Sequence, residues 1–133
     1  MEQVIQFLRE NPNFFLATID GDFPRVRPFG LIILIDGKLH ICTNSHKAVF
    51  RQMMDNPLVE LCSMTPDGSR FLRLWGAVSR ASSAENRKVF FERAPHLANL
   101  YAGQEDSFEI FRFDMANAMF QDHTDLKQPQ VLY

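Results

Sequence analysis

"RVRPFGLIILIDGKLHICTNSHKA", residues 25–48, decides how this chain folds. It opens on Arg25 and Arg27, two apart, which a strand points to the same face. Pro28 follows and cannot donate to a ladder, so this stretch belongs at a sheet edge or a bulge. Residues 25–35 read as one long strand. Asp36-Gly37 is a strong hairpin signal, and residues 39–43 return as the partner strand. Thr43, Asn44, Ser45, His46 and Lys47 then collect at the start of a helix over about 46–55.

Outward from that hairpin the pattern is regular. Val4, Ile5, Phe7 and Leu8 recur at helical spacing, and Asn11-Pro12 stops the helix over 2–10. Residues 14–20 form a strand, which Gly21-Asp22 turns back. Asn56-Pro57 ends the middle helix; strands follow over 58–65 and 70–80, joined by Pro66-Asp67-Gly68. Ser82 and Glu85 make a capping-box pattern for a helix through about Arg93, and Pro95 restarts a turn or two to Tyr101. Residues 108–113 alternate apolar and polar, in a strand that continues to Phe120. Residues 122–133 read as a tail. The expectation is a mainly β chain with some α: six antiparallel strands closed into a small barrel, with short helices over its openings.

Composition sets bounds. The 133 residues make one domain, 1–133, with 13 Phe to fill a core or an interface. A net charge of −2 gives no electrostatic case for nucleic acid. The start, Met1-Glu2-Gln3, is not basic, and no apolar run approaches the roughly 20 residues that cross a bilayer. Cys42 and Cys62 are isolated in apolar runs and read as buried thiols; the four histidines lack ligand spacing. A cytoplasmic protein is expected.

Ser45 is a good N-cap residue. Capping alone favours an acid just inside the helix, yet His46 and Lys47 stand there. A cation at a helix N-terminus costs about 0.3–1 kcal/mol unless an anion offsets it. A bound phosphate would do so, taking the serine hydroxyl, open N–H groups and the ammonium together. The plainer alternatives are a capped helix with a surface lysine, and an edge strand guarded by its arginines.

In order and spacing, "RVRPFG", the hairpin and "TNSHKA" opening a helix that ends in "DNP" resemble the pyridoxamine-phosphate-oxidase-like group of FMN-binding split barrels. The resemblance covers about 10–120 and implies a split barrel and a homodimer with FMN at the subunit interface. It implies a flavin contact for Thr43, with Ser45 and Lys47 on the FMN phosphate; Asn44, between them, reads as a turn-maker. His46 stands where the true oxidases have arginine, so that part of the charge becomes pH-dependent. Arg27, Pro28 and Phe29 fall on the strand that meets the flavin; the register is open by one residue, so Arg25 remains a candidate. The oxidases' lysine further along that strand is replaced by the apolar run from Leu31 to Ile35. Their C-terminal arginine and histidine have no counterpart in "DHTDLKQPQVLY". The chain is therefore more similar to small flavin-reductase, nitroimidazole-resistance or general-stress members than to a pyridoxine-phosphate oxidase.

Trp75 is a core, interface or flavin-side residue, and Gly76 beside it suits a bulge or close backbone approach. Arg73 shares Trp75's face and is a candidate contact from a partner subunit; Phe120 is a candidate cover for the flavin. No nucleophile is paired with a base. The leading expectation is an FMN-dependent oxidoreductase that moves electrons or hydride between a nicotinamide nucleotide, NADH or NADPH, and an unidentified small molecule. The alternative is a flavin, haem or deazaflavin carrier or sensor without turnover.

Overall fold

Seven strands, not six, make up the sheet in the computed structural model, which describes residues 1–123. The tail expected over 122–133 lies outside the described residues from 124 onward. The extra strand comes from the stretch read as one strand over 25–35. It is β2, Phe23–Phe29, then a break at Gly30 and Leu31, then β3, Ile32–Ile35. The two halves need different partners. β2 pairs with β1, Phe14–Asp20, while β3 pairs with β4, Lys38–Asn44.

With β5, Leu58–Met64, β6, Arg70–Arg80, and β7, Phe108–Asp122, the strand order is β2-β1-β5-β6-β7-β4-β3, antiparallel throughout. β2 and β3 are thus the two opposite edges of the sheet, yet only two residues join them. The three steps from Phe29 to Ile32 span about 11 Å at most. The sheet must therefore curl until its edges nearly meet, without a ladder between them: a barrel split along one seam. Asp36 (φ 51°) and Gly37 (φ 76°) both turn left-handed, as a two-residue hairpin between β3 and β4 requires.

The barrel interior holds Leu16, Ile41, Leu61, Leu72, Leu74 and Phe111, all essentially without exposure. Two helices close it. α1, Glu2–Glu10, inserts Val4, Ile5, Phe7 and Leu8; α2, Ala48–Asp55, inserts Val49 and Met53. A second cluster forms outside the barrel, where Ile33, Phe108 and Ile110 pack under Phe90 of α3, Ala84–Arg93, next to α4, Pro95–Leu100. This overturns the alternation read at 108–113. Phe108, Glu109, Ile110 and Phe111 are all buried, because β7 has the barrel on one face and α3 on the other.

Gly76 meets the expectation of close backbone approach. A Cβ there would stand 1.8 Å from the carbonyl oxygen of Met115, at the register shift between β6 and β7. The remaining outer face, across β2, β1, β5, β6 and β7, is covered by none of the described residues. Val26, Phe15, Leu58, Met64 and Met115 on it are each more than half exposed.

Candidate functional site

The seam makes the site. β3 covers β4 only from Lys38 to Ile41, so Cys42, Thr43 and Asn44 are laddered on the β7 side alone. The chain that would have continued the pairing leaves at Gly30 to run along β1. A cleft of about 220 Å³ occupies the gap, lined by Arg27, Pro28, Phe29, Gly30, Cys42, Thr43, Lys47 and Val49. Five residues singled out in the sequence thus converge: Arg27, Pro28 and Phe29 from the first edge, Thr43 and Lys47 from the other side.

The start of α2 differs from the expected one. Its N-cap is Lys47, not Ser45, and the first turn has neither a capping side chain nor an acid. Asn44 explains the shift. Its Oδ1 accepts the His46 N–H at 3.0 Å, and its carbonyl accepts the Lys47 N–H at 3.2 Å. That Asx-type turn consumes Ser45 and His46 before helical geometry begins. The Ser45 N–H donates to the Ser107 carbonyl at 2.9 Å, and neither Ser45 nor His46 lines the cleft.

Arg27 reaches inward from β2. Its Nη1 donates to the Leu16 carbonyl (3.0 Å) and to Thr18 Oγ1 (2.8 Å), and its Nη2 donates to Gln52 Oε1 (2.6 Å). Thr18 Oγ1 in turn donates to Gln52 Oε1 at 2.6 Å. Burial lowers the Arg27 pKa without threatening its charge. Thr18 and Gln52 are 2% and 4% exposed, and sequence reasoning missed both. A signal existed: Gln52 interrupts the inward stripe of Val49 and Met53 on α2.

Among the described residues, those that line the cleft bring hydrogen-bond donors and no carboxylate. Lys47 brings an ammonium group to it at the start of α2, while the Arg27 guanidinium turns inward to Leu16, Thr18 and Gln52. Burial pushes the Cys42 thiol up to about 12, with Lys47 pulling weakly against it, so the sulfur stays protonated at neutral pH and is no nucleophile. Cys62 is also a free thiol.

Other predicted residues lie elsewhere in the chain. Arg25 is exposed, paired with Asp20 at 3.3 Å and set over the Phe23 ring. Arg73 donates to Glu60 at 2.5 Å, and Trp75 lines a separate groove of about 270 Å³ with Ala17, Ile19, Pro24 and Glu60; both are on the bare outer face. Phe120 packs edge-on against Phe7 of α1, with Arg70 over its ring at 4.4 Å.

A second polar cluster was not foreseen. Glu109, 3% exposed, accepts from Arg80 Nε (2.7 Å), Arg80 Nη2 (3.0 Å) and Ser82 Oγ (2.5 Å), with Arg87 Nη2 at 4.0 Å. Burial alone would raise its pKa. The hydrogen bonds from Arg80 and Ser82, and the charges of Arg80 and Arg87, outweigh that and hold it below the usual value. Ser82 is therefore committed to Glu109, and Ser83 caps α3 instead, one residue after the expected start.

A family model described as pyridoxamine 5'-phosphate oxidase matches residues 1–122. A NimC/NimA family protein from Clostridium acetobutylicum shares 34% identity, with a TM-score of 0.88 over 99% of this chain and 92% of that one. A pyridoxamine 5'-phosphate oxidase-related, FMN-binding protein from Nostoc punctiforme shares 15% identity, with a TM-score of 0.71 over 98% and 94%. HutZ, the haem storage protein from Vibrio cholerae, shares 15% identity, with a TM-score of 0.68 over 86% and 91%. The last two likenesses are of fold. Comparison with curated proteins returns no match.

Proposed function

The chain belongs to the pyridoxamine 5'-phosphate oxidase family, and on that premise we propose that it is an FMN-dependent oxidoreductase. The observation that carries the reading is that Lys47 and the uncapped start of α2 meet at one cleft with no carboxylate among the described residues that line it. Such a donor set suits a phosphate. Lys47 and the α2 N–H groups hold the phosphate, with Ser45 and His46 at the rim. Thr43 and the strand at Pro28 and Phe29 orient the ring. FMN, when bound, supplies the redox chemistry. Cys42 stays neutral, so the chain contributes binding and orientation, and protons come from water or the substrate. The electron donor is a nicotinamide nucleotide and the acceptor a small molecule.

A cleft of about 220 Å³ falls below the ~300–1,000 Å³ of sites that enclose a small molecule. One chain therefore covers only part of FMN, which supports a homodimer with the cofactor at the interface. The bare apolar face fits a second copy, since patches of that kind mark interaction surfaces. Arg73 and Trp75 on that face would then meet the partner. Among the described residues no helix is long and apolar enough to cross a membrane, and the proposal places the protein in the cytoplasm.

The test is the absorbance spectrum of the purified protein, followed by NADH and NADPH in turn. A flavin band bleached by either supports the enzyme. A flavin band inert to both supports a carrier or sensor. The likeness to a haem storage protein gives that second reading a haem version, which a Soret band would reveal. A colourless protein that takes up no added FMN sinks the flavin reading.

A further inference from the structure

Arg27, Thr18 and Gln52 form a closed ring of hydrogen bonds: Arg27 to Thr18, Thr18 to Gln52, Arg27 to Gln52. Each belongs to a different element. Arg27 is on β2, Thr18 on β1 and Gln52 on α2. The chemistry fixes the orientation of every group. Arg27 has only donors, so the amide oxygen of Gln52 must face it, and the Thr18 hydroxyl must accept from one neighbour and donate to the other. Buried polar groups so satisfied lock a local geometry, and removing one member strands the rest.

The ring joins the two walls of the split. One wall is β2, where Arg27 is followed by Pro28 and Phe29. The other contains Lys47 and Val49 at the start of α2, some 7 Å along the helix from Gln52. β2 and β3 share no ladder across the seam, so backbone hydrogen bonds do not set its width. Arg27 commits three of its five N–H groups to this ring and to the Leu16 carbonyl.

We propose that Thr18 and Gln52 are positioning residues for the ligand in the split: with Arg27 they clamp α2 to β2, fixing the distance from Lys47 to the Pro28 and Phe29 strand. Arg27 acts mainly through this clamp. The ligand read-out rests on the FMN reading above; the clamp itself does not.

Gln52→Leu keeps the volume and deletes the acceptor; Gln52→Glu keeps an acceptor for both partners. FMN is titrated by flavin fluorescence at a temperature where each variant is folded, and the visible circular dichroism of bound flavin is recorded. Gln52→Leu should weaken binding about tenfold and change the flavin dichroism, while Gln52→Glu should stay within about threefold of the parent. Hydrogen exchange of the unliganded proteins is measured in parallel. Gln52→Leu should speed exchange at the start of α2 and along β2 while leaving β6 unchanged, and Gln52→Glu should restore protection. A lowered melting temperature with unchanged affinity, dichroism and local exchange would overturn the clamp. If the parent binds no FMN, the flavin reading fails, and the exchange result alone upholds or overturns the clamp.

Discussion

The N-termini of α2 and α3 are built to opposite specifications. At α3, Ser83 Oγ accepts from the Asn86 N–H at 3.1 Å and Glu85 stands in the first turn. The nearby arginines, Arg80 and Arg87, are gathered on the buried Glu109. At α2, the cap is a lysine that accepts nothing, the first turn has no acid, and among the described residues no carboxylate lines the adjacent cleft. The same chain thus caps and neutralises one helix start from within and leaves the other open. The closed one is held by the fold; the open one faces the seam. The starts of α1 and α4 also lack a capping side chain, but α2 is the one whose start lines the cleft, and a bound phosphate, as proposed above, would meet its electrostatic need.

If that contrast holds, damage at the closed cluster should appear as lost stability, and damage at the open one as lost binding. The largest effect is expected from Glu109→Gln, which leaves Arg80 and Arg87 without their counter-charge. Breaking a buried pair costs roughly 3–5 kcal/mol, and Arg80, half exposed, can turn to water, so about 3 kcal/mol is expected at neutral pH. The pH dependence has a definite sign. The folded pKa of Glu109 is depressed, so its contribution is present above the unfolded value of about 4.3 and is lost as pH falls through the folded one. Urea midpoints across the acid range should therefore converge for parent and variant. A variant as stable as the parent at pH 7 would remove the closed half of the comparison.

Next comes Lys47→Ala. Loss of a charge-assisted contact should weaken FMN binding by about 1.5–3 kcal/mol, roughly 10- to 100-fold, while the urea midpoint hardly moves. Unchanged affinity in a fluorescence titration would mean that the open helix start does not hold the phosphate. Ser83→Ala should show the reverse pattern: about 1 kcal/mol of stability lost with the α3 cap, and FMN affinity untouched.

Much of this architecture was legible because local chemistry and tertiary need agreed. The Asp36-Gly37 hairpin, the Asn56-Pro57 stop and the 70–80 strand stand where turn residues and periodicity put them. The break at Gly30 and Leu31 was hidden, because a continuous apolar run says nothing about a change of partner strand. Glu109 was hidden for a related reason: a strand buried on both faces has no alternation to read, and its counter-charges lie about 20 to 30 positions earlier in the chain. Arg27, Pro28, Phe29, Thr43 and Lys47, singled out by order and spacing, all line the one cleft. The Ser45 cap failed because the Asn44 side chain wound its own turn first. Arg73 and Trp75 face outward, where a single chain gives them no ligand to meet.

The smallest expected change in stability is the most discriminating. Lys47→Asp puts an acceptor and a negative charge where α3 has Ser83 and Glu85, giving the open helix start the features of the closed one. N-cap aspartate and relief of the cation at the dipole's positive end should together stabilise the unliganded protein by about 0.5–1 kcal/mol. The same charge would repel a phosphate, so FMN binding should collapse as the urea midpoint rises. Opposite movement of the two quantities is what a site kept open for an anion requires. If the unliganded protein instead loses stability, Lys47 has a structural partner of its own, and the contrast between the two helix starts no longer marks a binding site.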